Sequence, residues 1–328
     1  MTGNLLFVVV GTALLFDFTN GFHDSANAIA TSISTRALRP GVALGMAAVA
    51  NVVGALISTE VASTLGRGIV ETQAVTPIVV LAALVGAVIW NFITWYFGIP
   101  SSSSHALIGG LVGAVLAAAT SSDVKWDGIL DKVVVPTLTS PLIGLVVGAI
   151  LATALYWTFR RASPRAASAG FRHAQTVSAA LMAFSHGSND AQKTMGVIAL
   201  ALLSAGRIDH FFVPLWVKLA SAVTIGFGTF SGGKRIIRTL GMKLVKLQPI
   251  DGFAAETAAS AVLLGTAHLG FPISTTHVIT SSIMGVGATK RLSAVRWGVT
   301  FNILVAWVLT LPMAALLAAI VYSLIGRL

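Results

Sequence analysis

Cysteine is absent from the chain, and charged residues make up only 10% of it. Without cysteine the protein has no disulfide framework, no thiolate metal site and no thiol nucleophile. An ordinary soluble domain has about a quarter of its residues charged, whereas 55% of this 328-residue chain is hydrophobic. A soluble globule of this size is therefore excluded.

Apolar segments dominate what is present, and the mean hydropathy is +0.88. Several of these segments reach about 20 residues, which is the length that a helix needs to cross a bilayer. We therefore predict an all-α polytopic membrane protein whose surroundings are the lipid bilayer. The net charge of +10 would suggest a nucleic-acid partner in a soluble protein, but its distribution along the loops predicts none here.

Positive charge is concentrated in a few loops. Fourteen of the 21 Lys and Arg residues, and no carboxylate, lie in the loops 36–39, 160–172, 234–246 and 290–296. By the positive-inside rule these loops are cytoplasmic. The sequence thus predicts a multi-pass protein of the cytoplasmic (inner) membrane with its N-terminus outside.

Two polar interruptions of apolar segments are copies of each other. Phe18, Gly21 and Asp24 recur 166 residues later as Phe184, Gly187 and Asp190. The apolar pieces on either side are each too short to span a membrane, so we predict one broken helix around residues 19–25 and another around 186–193.

A second pair of copies is the segment GIPSSSSH at 98–105 and GFPISTTH at 270–277. Together the copies indicate an internal duplication, with repeat 1 over 1–159, a cytoplasmic linker at 160–173 and repeat 2 over 174–328. Tracing the chain through the loop charges makes the repeats inverted in topology and the segments 75–119 and 253–288 opposed re-entrant helical hairpins or helix pairs. Inverted repeats with broken helices are typical of secondary transporters that work by alternating access.

Carboxylates within apolar segments are costly and therefore mark candidate functional residues. Asp24 and Asp190 lie at the predicted breaks, where they would bind substrate or ion, or merely cap a half-helix. Inverted repeats bring both breaks to the same depth, so we expect these two carboxylates to lie close together. Asn27 follows Asp24 by three residues, while the matching position after Asp190 is Lys193. An ammonium there would take the role of a bound cation, contact an anionic substrate or pair with Asp190.

Hydroxyl groups cluster after a proline in both hairpins. The candidate anion ligands are Ser101, Ser102, Ser103, Ser104, Ser274, Thr275 and Thr276. At a helix N-terminus such groups can bind an oxyanion, although a single segment would equally be read as ordinary N-capping. His105 and His277 follow directly and would donate to the anion, relay protons or bridge helices.

These motifs resemble the inorganic phosphate transporter (PiT, or Pho-4) family, in its bacterial low-affinity branch. Its duplicated G-x-N-D motif appears as Gly21-Phe22-His23-Asp24 and Gly187-Ser188-Asn189-Asp190, and its duplicated P-x-S-x-x-H-like motif also occurs twice, in the same order. The resemblance spans nearly the whole chain. It implies cation-coupled import of orthophosphate, with Asp24, Asn27, Asn189 and Asp190 at the ion or substrate site and the hairpin hydroxyls on the phosphate oxygens.

His23 stands where the family motif carries Asn, which favours proton over sodium coupling and admits a metal–phosphate complex as the transported species. Glu256 resembles a family acid implicated in coupling. We group His23, Asn27, Asn189, Glu256, His105 and His277 as coupling-ion candidates. The sequence predicts no resident cofactor besides the coupling cation, and it leaves divalent metal and homo-oligomer formation open.

Two other functions remain to be weighed. A sulfate permease could use the same scaffold, but carboxylates at the site would select protonated phosphate, because sulfate at neutral pH has no proton to donate. An intramembrane hydrolase is disfavoured because the G-x-S-x-G motif is absent and because Ser104 and His105 point to different faces of a helix. We therefore predict a transporter and not an enzyme.

Overall fold

A computed structural model describes residues 2–326. Its α-helices are α1 (Thr2–Ser34), α2 (Pro40–Ala55), α3 (Glu60–Gly68), α4 (Pro77–Phe97), α5 (Ser103–Ala118), α6 (Trp126–Ile129), α7 (Val135–Thr158), α8 (Pro164–Ser204), α9 (Leu215–Ser231), α10 (Lys234–Arg238), α11 (Pro249–His268), α12 (Thr275–Lys290) and α13 (Trp297–Ile325). Within these residues an isolated bridge between Val70 and Val124 is the only β-type pairing. The all-α prediction is confirmed.

Several helices of residues 2–326 are long and apolar enough to cross a bilayer. Four qualify alone, at Asn4–Ser34, Pro77–Phe97, Trp126–Thr158 and Trp297–Ile325. A fifth span forms if α2 and α3, which meet at an angle of 66°, count as one. The multi-pass prediction is confirmed, although the apolar segment 41–64 bends where hydropathy alone indicates a single run.

The prediction of broken helices is wrong. Helix α1 runs through the first polar segment for 33 residues, and α8 runs through the second for 41. The glycines in these segments instead allow another backbone to approach. A Cβ on Gly21 would lie 2.5 Å from the carbonyl oxygen of Ile225, and one on Gly187 would lie 2.1 Å from that of Asn51. Helix packing across these glycines thus overrides their low helix propensity.

The two predicted hairpins are present. Helices α4 and α5 form the first, and α11 and α12 the second. The first helix of each pair ends at a glycine with positive φ, Gly98 at +66° and Gly270 at +73°, a conformation that costs glycine little. In both, the amide of the next residue donates to a carbonyl five positions back at 2.9 Å. A proline then follows, and the turn carries its serines and threonines into the protein interior.

The two halves of the chain interlock. Helix α1 packs against α9 and α8 against α2, while α13 packs against α5 and α12 against α7. Both major apolar clusters contain residues from each half. Residues 164–173, most of the predicted linker, are the beginning of α8. The predicted halves therefore interlock and share both apolar clusters.

Candidate substrate and ion site

The tips of the two hairpins meet next to the middle of α1 and α8. Ser104 Oγ, on the first hairpin, donates to the carbonyl of Ile273 on the second at 3.4 Å. We call the group of polar side chains at this junction the central cluster: Asp24, His186, Asp190, Lys193, Ser104, Thr275 and Thr276. Each of them is at most 2% exposed. Buried polar groups of this kind need partners or a function.

Lys193 is the cation of the central cluster. Its Nζ donates to Asp190 Oδ1, to Ser104 Oγ at 2.5 Å and to the carbonyl of Ile273 at 2.8 Å. An ammonium has three donors, so the protein itself engages all of them. The pairing of Lys193 with Asp190 is one of the alternatives that the sequence leaves open.

Asp190 has two further neighbours in the central cluster. Thr275 Oγ1, in the first turn of α12, donates to its Oδ1 at 3.1 Å. His186 lies one turn earlier on α8, with Nε2 3.2 Å from Asp190 Oδ2. His186 Nδ1 in turn donates to Asn51 Oδ1 at 2.6 Å. Asp190 Oδ1 is thus bonded from α8 and α12, whereas Asp190 Oδ2 and His186 Nε2 are buried without a hydrogen-bond partner.

Asp24 has a different environment. His23 Nδ1 donates to Asp24 Oδ1 at 2.7 Å, and His23 Nε2 lies 3.1 Å from Thr94 Oγ1. Thr276 Oγ1 donates to Asp24 Oδ1 at 3.3 Å and accepts from Asn27 Nδ2 at 2.9 Å. No lysine contacts this carboxylate within the described residues, so its hydrogen bonds come from an imidazole and a hydroxyl.

The prediction that Asp24 and Asp190 lie close together is confirmed. One oxygen of each carboxylate and one ring nitrogen of His186 lie within 4.8 Å of one another. Two aspartates and a histidine are a ligand set suited to a divalent metal. This part of the central cluster thus holds two buried carboxylates and one ammonium, that of Lys193, which pairs with Asp190.

The remaining hairpin hydroxyls have structural partners, with one exception. Ser102 and Ser274 are the N-caps of α5 and α12, where each accepts the amide of the histidine three residues on, at 3.1 and 3.2 Å. Ser101 Oγ donates to Thr94 Oγ1 at 3.0 Å. Ser103 Oγ is the exception, since it is buried without a partner. The hydroxyls of Thr275 and Thr276 thus reach the carboxylates and that of Ser104 reaches Lys193, whereas the two N-cap serines serve their own helices.

The two hairpin histidines contact each other. The ring centroids of His105 and His277 are 4.8 Å apart, and His277 stacks on Trp307 at 3.8 Å. His105 Nε2 lies 2.8 Å from Thr137 Oγ1, whereas both ring nitrogens of His277 are buried without a hydrogen-bond partner. This geometry joins α5, α12 and α13 and places neither imidazole in hydrogen-bond contact with the two aspartates of the central cluster.

Two coupling-ion candidates lie apart from the carboxylate pair. Glu256 accepts from Thr31, Ser178 and, at 3.2 Å, Gln175 Nε2, which makes a separate buried polar group between α1, α8 and α11. Asn189 Nδ2 donates to a carbonyl of the second hairpin at 3.4 Å, and its Oδ1 has no partner. The structure therefore brings together some of the predicted residues but not Glu256.

Sequence reasoning missed several participants. His186 is one turn before Asp190 on the same helix face, a spacing that could have identified it. Asn51 carries no comparable signal, because only the tertiary fold brings α2 to α8. Asp17 is a further buried acid of α1 to which the sequence assigns no role, and it accepts from Thr194 Oγ1 at 3.0 Å.

A multi-pass helical bundle with a buried cluster of carboxylates, ammonium and hydroxyls at the meeting point of two hairpins defines a membrane transporter for a small polar ion. The model of a family described as "Phosphate transporter family" matches residues 20–318. The chain belongs to this family. It is accordingly a transporter and not an enzyme.

Individual proteins agree with this assignment. The chain is 51% identical over 320 residues to a Rhizobium meliloti protein named "Probable low-affinity inorganic phosphate transporter", covering 97% of this chain and 96% of the relative. A Mycobacterium bovis protein of the same name is 50% identical over 323 residues, covering 98% of this chain and 78% of the relative. A solved structure named "The sodium-dependent phosphate transporter" has the same fold, with a TM-score of 0.92 at 24% identity, over 99% of this chain and 100% of that one.

Proposed function

We propose that the protein imports inorganic phosphate across the cytoplasmic membrane by symport with a cation, in an alternating-access cycle. The observation that carries the proposal is the charge balance of the central cluster. The cluster contains two carboxylates, Asp24 and Asp190, but one ammonium, that of Lys193, in a region that is at most 2% exposed. A phosphate anion entering alone would add negative charge in a low-dielectric interior, so a proton or metal ion has to enter with it.

The hydroxyls at the hairpin tips suit the substrate. The first amides of α5 and α12 have no intrahelical acceptor, and helix N-termini favour anions. Ser104, Thr275 and Thr276 add hydroxyl groups beside the carboxylates, and these hydroxyls, which donate to Ile273, Asp190 and Asp24 here, would turn to phosphate when it binds. A carboxylate can accept a hydrogen bond from a protonated phosphate but not from sulfate, so we infer that phosphate is preferred over sulfate.

Proton coupling is the favoured mode. His23 Nδ1 donates to Asp24 and its Nε2 contacts Thr94, and an imidazole can carry protons through its two ring nitrogens. Sodium is the alternative, since the solved structure of the same fold is named as sodium-dependent. A divalent metal could accompany phosphate as a complex, with Asp24, His186 and Asp190 as its ligands.

Alternating access and topology complete the proposal. A site that is closed on all sides must open to each face in turn before phosphate can enter or leave. The copied segments at 18–24 and 184–190 support two inverted repeats, 1–159 and 174–328 with the linker 160–173, whose interlocked helices would change their packing as the site opens to each face. The distribution of Lys and Arg supports cytoplasmic basic loops and an external N-terminus.

Uptake of radiolabelled phosphate into proteoliposomes tests the proposal. We expect accumulation when an inward proton gradient is imposed without sodium, and only weak competition from sulfate. Strict dependence on sodium would overturn proton coupling and leave phosphate transport intact. Equal competition by sulfate would contradict selectivity for phosphate and favour a sulfate permease. Absence of accumulation under both a proton gradient and a sodium gradient would contradict symport.

A further inference from the structure

The ammonium of Lys193 is coordinated as a bound cation would be. Its three oxygen contacts are a carboxylate of α8, a hydroxyl of the first hairpin and a main-chain carbonyl of the second hairpin. Lys193 is fully buried. All three donors are used by the protein, so in this conformation no N–H of the ammonium is directed at a substrate.

The corresponding position in the first half is arranged differently. Asn27 occupies the place 166 residues before Lys193, next to Asp24, and Thr276 lies at the position that Ser104 has in the other hairpin. Thr276 bonds both Asn27 and Asp24. Asn27 Oδ1 is buried and has no hydrogen-bond partner. The first half thus offers carboxylate, hydroxyl and amide oxygens without a lysine, the type of oxygen set that a hard cation prefers.

We propose that Lys193 is a tethered substitute for a bound cation. Its ammonium permanently fills the cation position of the second half, so that a cation from solution enters only at the first half. The proposal rests on the proposed function, because it concerns the number of cations that accompany phosphate. Two aspartates create two places for positive charge, and the chain supplies one of the charges itself.

This arrangement has a consequence for energetics. Each cation moved down its gradient adds driving force to phosphate accumulation, and a covalently attached one adds none. A chain with lysine at this position therefore moves phosphate with one cation fewer than a chain with two open positions. It also needs a lower concentration of external cation to fill its site.

The variant Lys193→Asn tests the proposal because it gives the second half the residue that Asn27 provides in the first. Equilibrium phosphate binding to the purified variant would be measured at a series of sodium concentrations, with choline keeping ionic strength constant, and separately at a series of pH values. By linkage, the slope of log affinity against the log concentration of one of these two cations should rise by about one relative to the parent. Saturation binding of radiolabelled sodium should rise by about one equivalent per protein.

Lys125→Asn is the matched control, because Lys125 pairs with Glu71 on an exposed loop at 3.3 Å. It should keep the slope and sodium stoichiometry of the parent. A monodisperse Lys193→Asn protein with the parent's slope and stoichiometry would overturn the proposal.

A second variant covers the case in which Lys193→Asn does not fold. Lys193→Ala purified in the presence of methylammonium should regain phosphate affinity by about tenfold or more over choline, whereas the parent should not respond. A Lys193→Ala protein that binds phosphate equally well in both cations would contradict a cation role. Failure of the parent to bind phosphate would overturn the proposed function. The number of sodium ions bound by the Lys193→Asn protein would still show whether Lys193 fills a cation position.

Discussion

Removing the hydroxyl of Thr275 tests whether this residue binds phosphate or only stabilises the fold. Thr275 is 1% exposed and donates to Asp190 Oδ1 at 3.1 Å. Thr275→Val keeps the shape of the side chain and deletes only the polar atom. An oxyanion that loses one buried donor loses about 1–3 kcal/mol. This corresponds to about 5- to 150-fold weaker phosphate binding.

The assay is equilibrium binding of radiolabelled phosphate to purified protein, together with thermal unfolding in the same detergent. Loss of the bond to Asp190 lowers stability without phosphate, whereas loss of an anion contact lowers the stabilisation that phosphate adds. Thr139→Val is the control, because Thr139 is exposed and bonds only the carbonyl of Val135 in its own helix. If Thr275→Val bound phosphate within twofold of the parent, the anion would have to be placed away from the tip of the second hairpin.

Three further predictions address charge, protons and packing. Asp190→Asn should abolish phosphate accumulation in proteoliposomes, because a neutral amide leaves the neighbouring buried ammonium without its counter-charge. His23→Asn should weaken proton-driven uptake or shift its pH dependence, since it removes the imidazole that donates to the adjacent carboxylate. Gly187→Ala should lower the melting temperature in detergent, because its Cβ would lie 2.1 Å from a carbonyl of the crossing helix; Gly11→Ala, with nothing within 4 Å, should not.

Each of these has a contrary outcome. Normal uptake by Asp190→Asn, matched to the surface control Asp123→Asn, would remove this carboxylate from the mechanism. A pH profile of His23→Asn that superimposes on the parent's would argue against proton loading at this imidazole. Equal melting temperatures for the two glycine variants would mean that the crossing at Gly187 has room that the structure does not show.

Much of the fold was predictable from hydropathy and loop charge. The copied glycine–proline segments correctly predicted two hairpins, because a positive-φ glycine followed by proline is a local signal. The helix breaks were wrongly predicted because glycine and polar residues look like breaks when only local propensity is considered. Glycine is needed at positions 21 and 187 because the carbonyl oxygens of Ile225 and Asn51 pack directly against them. These contacts join residues that are distant in sequence, so local patterns do not predict them.

The same division applies to the site. The proximity of Asp24 and Asp190 was predictable from their duplication. The ligands of Lys193 were not, because one of them is the main-chain carbonyl of Ile273. Every residue has a main-chain carbonyl, so the sequence does not indicate which of them accepts a given hydrogen bond, and only the fold shows it. Glu256 was grouped with the coupling residues by resemblance, yet its hydrogen bonds to α1 and α8 place it in a polar group of its own.

The packing of α1 against α9 also affects how the protein is made. A ribosome completes α1 early, but Ile225, whose carbonyl lies against Gly21, is synthesised only when the chain is well past its middle. Until then the glycine surface of α1 has no protein partner and must be accommodated by lipid or by the insertion machinery. The order of synthesis and the order of assembly therefore differ: α1 can pack against α2 and α4 early, but its surface at Gly21 is covered only after α9 has been made.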